Sequence, residues 1–227
     1  MGSRILVVED ESDLAELVAF NLKQAGHAVT TAGTGATALA EIRRQRPDLV
    51  VLDVMLPDIT GLEVCRRLRR DPDTIRLPVV MLTAKGEEVD RVVGFEVGAD
   101  DYVTKPFSPR ELLLRIDAIL RRVGQVDSDG PQAIMVGDMM IDVPAHRVEV
   151  GGEEIPLTAL EFRLLLDLAK RRGRVQSRGA LLERVWGYAP GIETRTVDTH
   201  VKRLREKLGT AARYVKTVRG VGYRIAD

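Results

Sequence analysis

A single cysteine, Cys65, is all the thiol this chain carries. An intramolecular disulfide is therefore impossible, and a thiolate-bound structural metal is excluded. The three histidines, His27, His146 and His200, are too scattered for a Cys/His zinc motif. No apolar run approaches the ~18 residues that a membrane helix needs. Met1-Gly2-Ser3-Arg4 leads straight into a strand-like segment without the apolar stretch of a signal peptide. The expectation is a cytoplasmic protein with no membrane association. What is present is 227 residues, 44% hydrophobic and 30% charged, enough to bury sizeable cores and incompatible with a disordered or collagen-like chain. At ~100–150 residues per domain, two domains are expected.

Lys plus Arg and Asp plus Glu balance at 34 each, but the balance is local. Residues 1–122 carry 17 basic and 20 acidic side chains, a net of −3, and residues 123–227 carry 17 and 14, a net of +3. From Lys170 to Arg224 there are 15 basic and 4 acidic residues, a net of +11. Such a concentration is either a polyanion-binding surface or a solvated charged face, and motif context must separate the two.

In the first half, apolar runs alternate with helical periodicity. Arg4–Glu9, His27–Ala32, Asp48–Asp53, Pro78–Thr83 and Asp101–Thr104 read as strands. Asp13–Gln24, Thr37–Gln45, Gly61–Arg70, a segment near Glu88–Val97 and Ser108 to about Arg122 read as helices. Strands that are nearly all apolar between helices mean a parallel sheet covered on both faces, a doubly wound α/β domain of five strands. Val123–Gln132 lacks apolar periodicity and reads as a linker. Beyond it the pattern changes to α+β. Short alternating segments around Ile134–Val150, with a turn at Gly151-Gly152, predict a small antiparallel sheet. Thr158 and Glu161 have capping-box spacing at the head of a helix running to about Arg172. Ser177 starts a short helix, Thr196 to Leu208 a third with Val197, Val201, Leu204 and Leu208 on its core face, and Tyr214–Ile225 closes as a hairpin turning at Arg219-Gly220.

Doubly wound sheets bind ligands at the carboxyl ends of their strands. That rim collects Glu9 and Asp10, Asp53, Thr83 and Lys105: three carboxylates, a hydroxyl and an ammonium. Crowded carboxylates repel unless a hard divalent cation joins them, and few oxygen ligands suit Mg2+. A cation beside Asp53 would let that carboxylate attack an incoming phosphoryl group, with Thr83 and Lys105 holding the remaining oxygens. Gly33-Thr-Gly35-Ala-Thr-Ala38 also matches a dinucleotide fingerprint, with Asp53 twenty positions on. The strand leading into it is short and polar, so a turn before a helix is the better reading.

Glu9-Asp10, Leu52-Asp53-Val-Met-Leu-Pro57, Met81-Leu-Thr83-Ala84 and Gly98-Ala-Asp-Asp-Tyr102-Val-Thr-Lys105-Pro106-Phe107 closely resemble the receiver domain of two-component response regulators. Leu157-Thr-Ala-Leu-Glu161-Phe, Arg195-Thr-Val-Asp-Thr-His200 and Thr217-Val-Arg219-Gly-Val-Gly222-Tyr223-Arg224 resemble the winged-helix effector of the OmpR/PhoB family. The resemblance implies a flavodoxin-like receiver over 1–122, a linker over 123–132 and a winged helix-turn-helix domain over 133–227. It implies that Asp53 is phosphorylated by a sensor histidine kinase, that Asp10, Asp53 and the Met55 carbonyl ligate Mg2+ with Glu9 acting through water, and that Lys105 partners the phosphate. Thr83 and Tyr102 would be the switch pair, and the Lys105–Pro106 bond would be cis.

The same resemblance implies a homodimer formed on phosphorylation. Its ion pairs would be Arg91–Glu111, Asp101–Arg115 and Asp100–Arg122, around Val92, Phe95 and Leu114. Glu111 and Arg115 are also i,i+4 neighbours, so an intrahelical pair competes with this reading. In the effector, Arg195, Thr199, His200, Lys202, Arg203 and Arg205 lie off the core stripe and suit major-groove insertion of the third helix. Thr217 and Arg219 would form the wing over the minor groove of promoter DNA. Trp186 reads as core, and the Gly187–Thr194 loop resembles the segment that meets RNA polymerase. The expected function is a phosphorylation-controlled transcription regulator, in phosphate-starvation control by motif likeness, and not an enzyme. A small-molecule phosphotransferase would want a second Asp two positions after Asp53, where Met55 stands, and no catalytic constellation is visible beyond residue 130.

Overall fold

A computed structural model of the chain describes residues 2–84, 97–123, 132–187 and 196–226. It divides into two compact units, Met1–Arg122 and Val123–Asp227.

In the first unit the elements run β1 (Arg4–Val8), α1 (Ser12–Gln24), β2 (Ala28–Ala32), α2 (Gly35–Gln45), β3 (Leu49–Asp53), α3 (Gly61–Arg70), β4 (Val79–Ala84), β5 (Asp101–Lys105) and α4 (Pro109–Val123). The segment near Glu88–Val97 lies, apart from its last residue, outside the described residues. All five strands are parallel, in the order β2-β1-β3-β4-β5. Successive side chains of a strand point to opposite faces, so each apolar run divides between two cores. Leu6, Val8, Val50 and Leu52 pack with Ala38, Ile42, Val64 and Leu68 of α2 and α3. Ile5, Val7, Leu49 and Val51 pack with Val18, Leu22, Leu112 and Ile116 of α1 and α4. Every residue of β3 is buried, which is why the sequence shows a continuous apolar run there rather than alternation.

Helix α2 starts at Gly35, two residues before the expected Thr37. Thr34 caps it by accepting from the Thr37 amide at 3.1 Å. From across the fold, the Asp58 carboxylate accepts from the Gly35 and Ala36 amides, each at 2.8 Å. A Cβ at Gly35 would come within 2.5 Å of the Ile59 side chain. The glycine is there for close packing, and the helix N-terminus that a dinucleotide phosphate would need is taken by an internal carboxylate.

The second unit opens with an antiparallel sheet, β6 (Ala133–Val136), β7 (Met139–Asp142), β8 (Arg147–Val150) and β9 (Glu153–Glu154), turning at Gly151-Gly152. Then come α5 (Ala159–Lys170), β10 (Gln176–Ser177), α6 (Arg178–Leu181) running into a π turn at Leu182–Trp186, α7 (Thr196–Leu208), a 3-10 turn at Gly209–Tyr214, β11 (Val215–Val218) and β12 (Gly222–Ile225). Strands β10, β12 and β11 form a three-stranded sheet whose hairpin turns at Gly220, in the left-handed region at φ 73°. Val197, Val201, Leu204 and Leu208 are buried together with Leu164, Leu165 and Leu168 of α5 and with Trp186. These two sheets around three helices make a winged-helix unit.

The capping box at α5 is formed. Thr158 Oγ1 accepts from the Glu161 amide, and Glu161 Oε2 accepts from the Thr158 amide at 2.9 Å. Glu161 is also fully buried and receives Lys207 Nζ at 2.6 Å and an Arg203 guanidinium nitrogen at 3.1 Å from α7. Burial alone would raise this carboxyl, but the two cations and the hydrogen bonds hold it below its usual value near 4.5. A depressed carboxylate contributes stability that is fully present above that value and is lost as pH falls through the lower, folded one. Glu161→Gln would leave two cations without their carboxylate and should cost about 3 kcal/mol. The fluorescence of Trp186, the chain's only tryptophan and part of this core, gives the check. Urea unfolding followed at neutral pH should show the loss, and acidification below about pH 4.5 should narrow the gap between mutant and wild type.

Candidate functional site

The rim at the carboxyl ends of β1, β3, β4 and β5 is where the parallel register leaves polar side chains together. Among the described residues, Glu9, Asp10 and Asp53 each offer a carboxylate oxygen within 4.8 Å of the others. Lys105, 96 positions from Glu9, donates from Nζ to Glu9 Oε2 at 2.7 Å and to Asp53 Oδ2 at 2.6 Å. The other oxygen of Asp53, Oδ1, accepts from the Met55 amide at 3.1 Å. Met55 itself is exposed. Gly61 begins α3 against the end of β3, where a Cβ would stand 2.0 Å from the Asp53 carbonyl oxygen.

Burial pushes the Glu9 carboxyl up, Lys105 pulls it back in part, and the charge of Asp53 adds to the rise, leaving it at about 7. For Lys105 burial works downward, but the hydrogen bonds and charges of Asp53 and Glu9 outweigh it and the ammonium is held more firmly than usual. The pocket therefore carries more acid than one ammonium balances. All-oxygen donors in small number suit a hard cation such as Mg2+, which Asp10, Asp53 and Glu9 could hold.

Thr83 is buried, its hydroxyl donating to the Ala84 carbonyl at 3.3 Å. The Tyr102 ring is buried in the cluster that also holds Met81 and Ala99. The Lys105–Pro106 bond is cis.

The acids of two expected intermolecular ion pairs have partners within the chain. Asp100 is buried and accepts from Arg69 at 2.9 Å and from the Val79 amide at 2.8 Å. Asp101 is buried too, accepts from the Tyr102 amide at 2.7 Å, and pairs within the chain with Arg115 at 3.2 Å. At the start of β5 these carboxylates satisfy backbone amides of the sheet and are turned inward. Arg115 also meets Glu111 at 2.8 Å, the intrahelical alternative. Leu114 is 59% exposed on α4. Arg91, Val92 and Phe95, and the side chain of Arg122, lie outside the described residues.

In the second unit the +11 surplus is only partly on offer. Lys202, Thr217 and Arg219 are exposed and Thr199 is half-buried. Arg205 reaches back to the hairpin, donating to the Val215 carbonyl at 2.6 Å and the Thr217 hydroxyl at 2.8 Å. His200 and Arg203 are corrections. His200 is 1% exposed and packs edge-on against Trp186 with ring centroids 5.2 Å apart, while Arg203 is 8% exposed with its head on Glu161. Neither faces outward, because the buried face of α7 is wider than the four-residue stripe. Arg195 and positions 188–194 lie outside the described residues. The residues that the sequence reading missed are Asp58, Arg69 and the partners of Glu161. Each acts across more than 20 positions of chain, beyond any local pattern.

Two families match this chain: the response regulator receiver domain over residues 5–117 and the transcriptional regulatory protein C-terminal domain over residues 152–225. The phosphate regulon transcriptional regulatory protein PhoB of Pseudomonas aeruginosa is 46% identical over 100% of this chain and 98% of its own. The DNA-binding response regulator MtrA of Mycolicibacterium smegmatis is 50% identical over 99% and 97%. Among solved structures, a mutant of RitR superposes with a TM-score of 0.82 at 32% identity, covering 99% of both chains. The described residues contain no helix long and apolar enough to cross a membrane.

The raised Glu9 carboxyl sets a pH dependence. A carboxyl whose folded pKa exceeds its ordinary 4.5 favours the protonated form, so its contribution to stability falls as pH rises from about 4.5 to about 7. In metal-free buffer with chelator, Glu9→Gln should therefore stabilise the first unit at pH 8 by on the order of 1–2 kcal/mol, and by little at pH 5. Thermal unfolding at the two pH values checks this, and equal effects at both would show that Glu9 is not perturbed.

Proposed function

The chain belongs to the OmpR/PhoB family of two-component response regulators, and from that membership we propose that phosphorylation of Asp53 switches a winged-helix unit onto promoter DNA. It is a DNA-binding transcription regulator and not an enzyme. The observation that carries the switch is the position of Lys105, within 2.7 Å of both Glu9 and Asp53 at the carboxyl edge of the sheet.

In this reading residues 1–122 are the receiver, 123–132 the linker and 133–227 the effector. Asp10, Asp53 and the Met55 carbonyl would hold Mg2+, with Glu9 acting through water, and a cation bound there would offset the negative charge of the incoming phosphoryl group. An Asp53 carboxylate oxygen attacks the phosphorus of a phosphohistidine on the partner kinase. The P–O bond forms as the P–N bond breaks, and the imidazole leaves with a proton from solvent. Lys105 then turns from the Asp53 carboxylate to the phosphoryl oxygens, which replace one anionic partner with another. Thr83 gives up the Ala84 carbonyl to donate to the phosphoryl group, and the space it vacates constrains the Tyr102 ring. The packing change is read at the α4 face, where Leu114 and Glu111 with Arg91, Val92, Phe95 and Arg122 would meet a second copy.

The dimer then sets two α7 helices at direct-repeat half-sites. Arg195, Thr199, Lys202 and Arg205 would lie along the major groove, with Thr217 and Arg219 at the wing. The 187–194 loop would contact RNA polymerase. The name of the Pseudomonas aeruginosa relative supports a role in phosphate-starvation control. The expected compartment is the cytoplasm, where histidine kinase output domains and promoters both lie.

Incubation with a small acyl phosphate and Mg2+ should add one phosphoryl group to the wild type, as read by intact mass. Asp53→Asn should add none while remaining folded, as its cooperative unfolding would show, and phosphate retained on that variant would sink the assignment. A beryllofluoride–Mg2+ mimic should double the solution mass of the wild type and tighten binding to promoter DNA. Chelation of Mg2+ should abolish both effects.

A further inference from the structure

Helix α7 carries an acid, Asp198, that the basic surface does not explain. Asp198 stands in the first turn of α7, and its Oδ1 accepts from Arg178 Nε at 2.8 Å and from the Tyr223 hydroxyl. Arg178 opens α6 and Tyr223 lies on β12, so the three side chains join both helices to the hairpin. The guanidinium of Arg178 stands 5.2 Å from the centre of the Tyr223 ring, and that of Arg205 stands 5.7 Å from it. This is not a core ion pair, since the Arg178 and Asp198 side chains are 35% and 43% exposed. An exposed pair of this kind contributes little to stability, whereas an arginine and a phenol aimed at one anionic oxygen form a donor set that a phosphodiester oxygen fits.

We propose that Asp198 is an internal stand-in for a DNA phosphate: it occupies Arg178 and Tyr223 in the free protein and is exchanged for a backbone phosphate when α7 docks. The proposal rests on the reading of α7 as the DNA-binding helix and adds a charge-exchange step to it. A phosphate that arrives out of register cannot displace a carboxylate already held by two donors. A phosphate delivered by correct docking can, because the rest of the interface holds it in place. Asp198 thus lowers affinity for all DNA and lowers it most where the fit is poor, which makes it a specificity-determining residue. In the free protein the carboxylate also favours the positive end of the helix that carries it, so its presence costs the fold nothing.

The test is a double-mutant cycle on the full chain. It uses two duplexes: one that the wild type selects from a random-sequence pool, and a scrambled one of equal length. Binding is measured across a salt series, and thermal unfolding confirms that each variant is folded. Asp198→Asn should tighten binding to the scrambled duplex by about three- to tenfold, steepen the salt slope by about one, and narrow the gap between the two duplexes. In an Arg178→Gln background the same substitution should change affinity less than twofold, because the charged donor it releases is gone and only the neutral Tyr223 hydroxyl is left.

An equal gain with and without Arg178 would mean simple charge repulsion and overturn the exchange. Weaker binding and a lower unfolding temperature in Asp198→Asn would mean a structural brace and overturn it equally. If the wild type binds neither duplex in a salt-dependent way, the DNA-binding reading itself falls and takes the proposal with it.

Discussion

One ammonium held between two carboxylates organises the receiver. Lys105 reaches Glu9 and Asp53 only because β5, β1 and β3 are parallel and end on the same rim. A hydrogen bond from the ammonium to each acid draws the pair together, yet burial, with the charge of Asp53 adding to it, lifts Glu9 to about 7. The pocket is thus satisfied but not saturated. Its carboxylate oxygens suit a hard cation. A fully neutralised site would be stable and inert. This one is poised because its charges do not cancel.

The effector shows the opposite solution to the same problem. Glu161 also sits among cations drawn from distant sequence, but it is closed: two cations and a backbone amide converge on it, and it is fully buried. Its pKa moves down, not up, because the cations outweigh the cost of burial. Breaking that arrangement leaves uncompensated charge inside the core, so it fixes α5 to α7 and is not available as a switch. The two units therefore hold carboxylate–cation contacts in different settings, one at an open rim and one closed in a core.

The fold was legible from sequence to the extent that burial imposes a period. β3 could be read because both of its faces are covered, and the rim could be read because the ends of such strands fall on one edge. Contacts that cross the fold could not. Nothing in residues 33–38 reveals that Asp58 will cap α2, and the turn consequently resembles a nucleotide fingerprint. His200 and Arg203 were misplaced for a related reason. The stripe at 197, 201, 204 and 208 is a single row, whereas a packed helix buries a face of at least ~100°. His200 is three after Val197 and four before Leu204, so it falls inside that face. Arg203 and Lys207 are four apart and both meet Glu161. Steps of three from Val197 and Leu204 reach His200 and Lys207, and one further step of three from His200 reaches Arg203.

The same reasoning changes what the charge of the effector means. A net of +11 between Lys170 and Arg224 is a property of a window in the sequence, and in the folded unit carboxylates enter that window from outside it. Glu161 takes Arg203 and Lys207, Asp167 takes Arg171 and Arg184, and Asp138 meets Arg213. All three acids precede residue 170, so none was counted. Arg205 is directed into the hairpin and Arg178 to Asp198. What remains turned outward, including Lys202 and Arg219, is a narrower surface than the raw count implies. A polyanion meeting such a surface is held by a few well-placed cations, and not by a diffuse field. Fewer cations release fewer counterions, so less of the affinity is independent of sequence. The internal acids are thus part of how a strongly basic segment avoids becoming a nonspecific one.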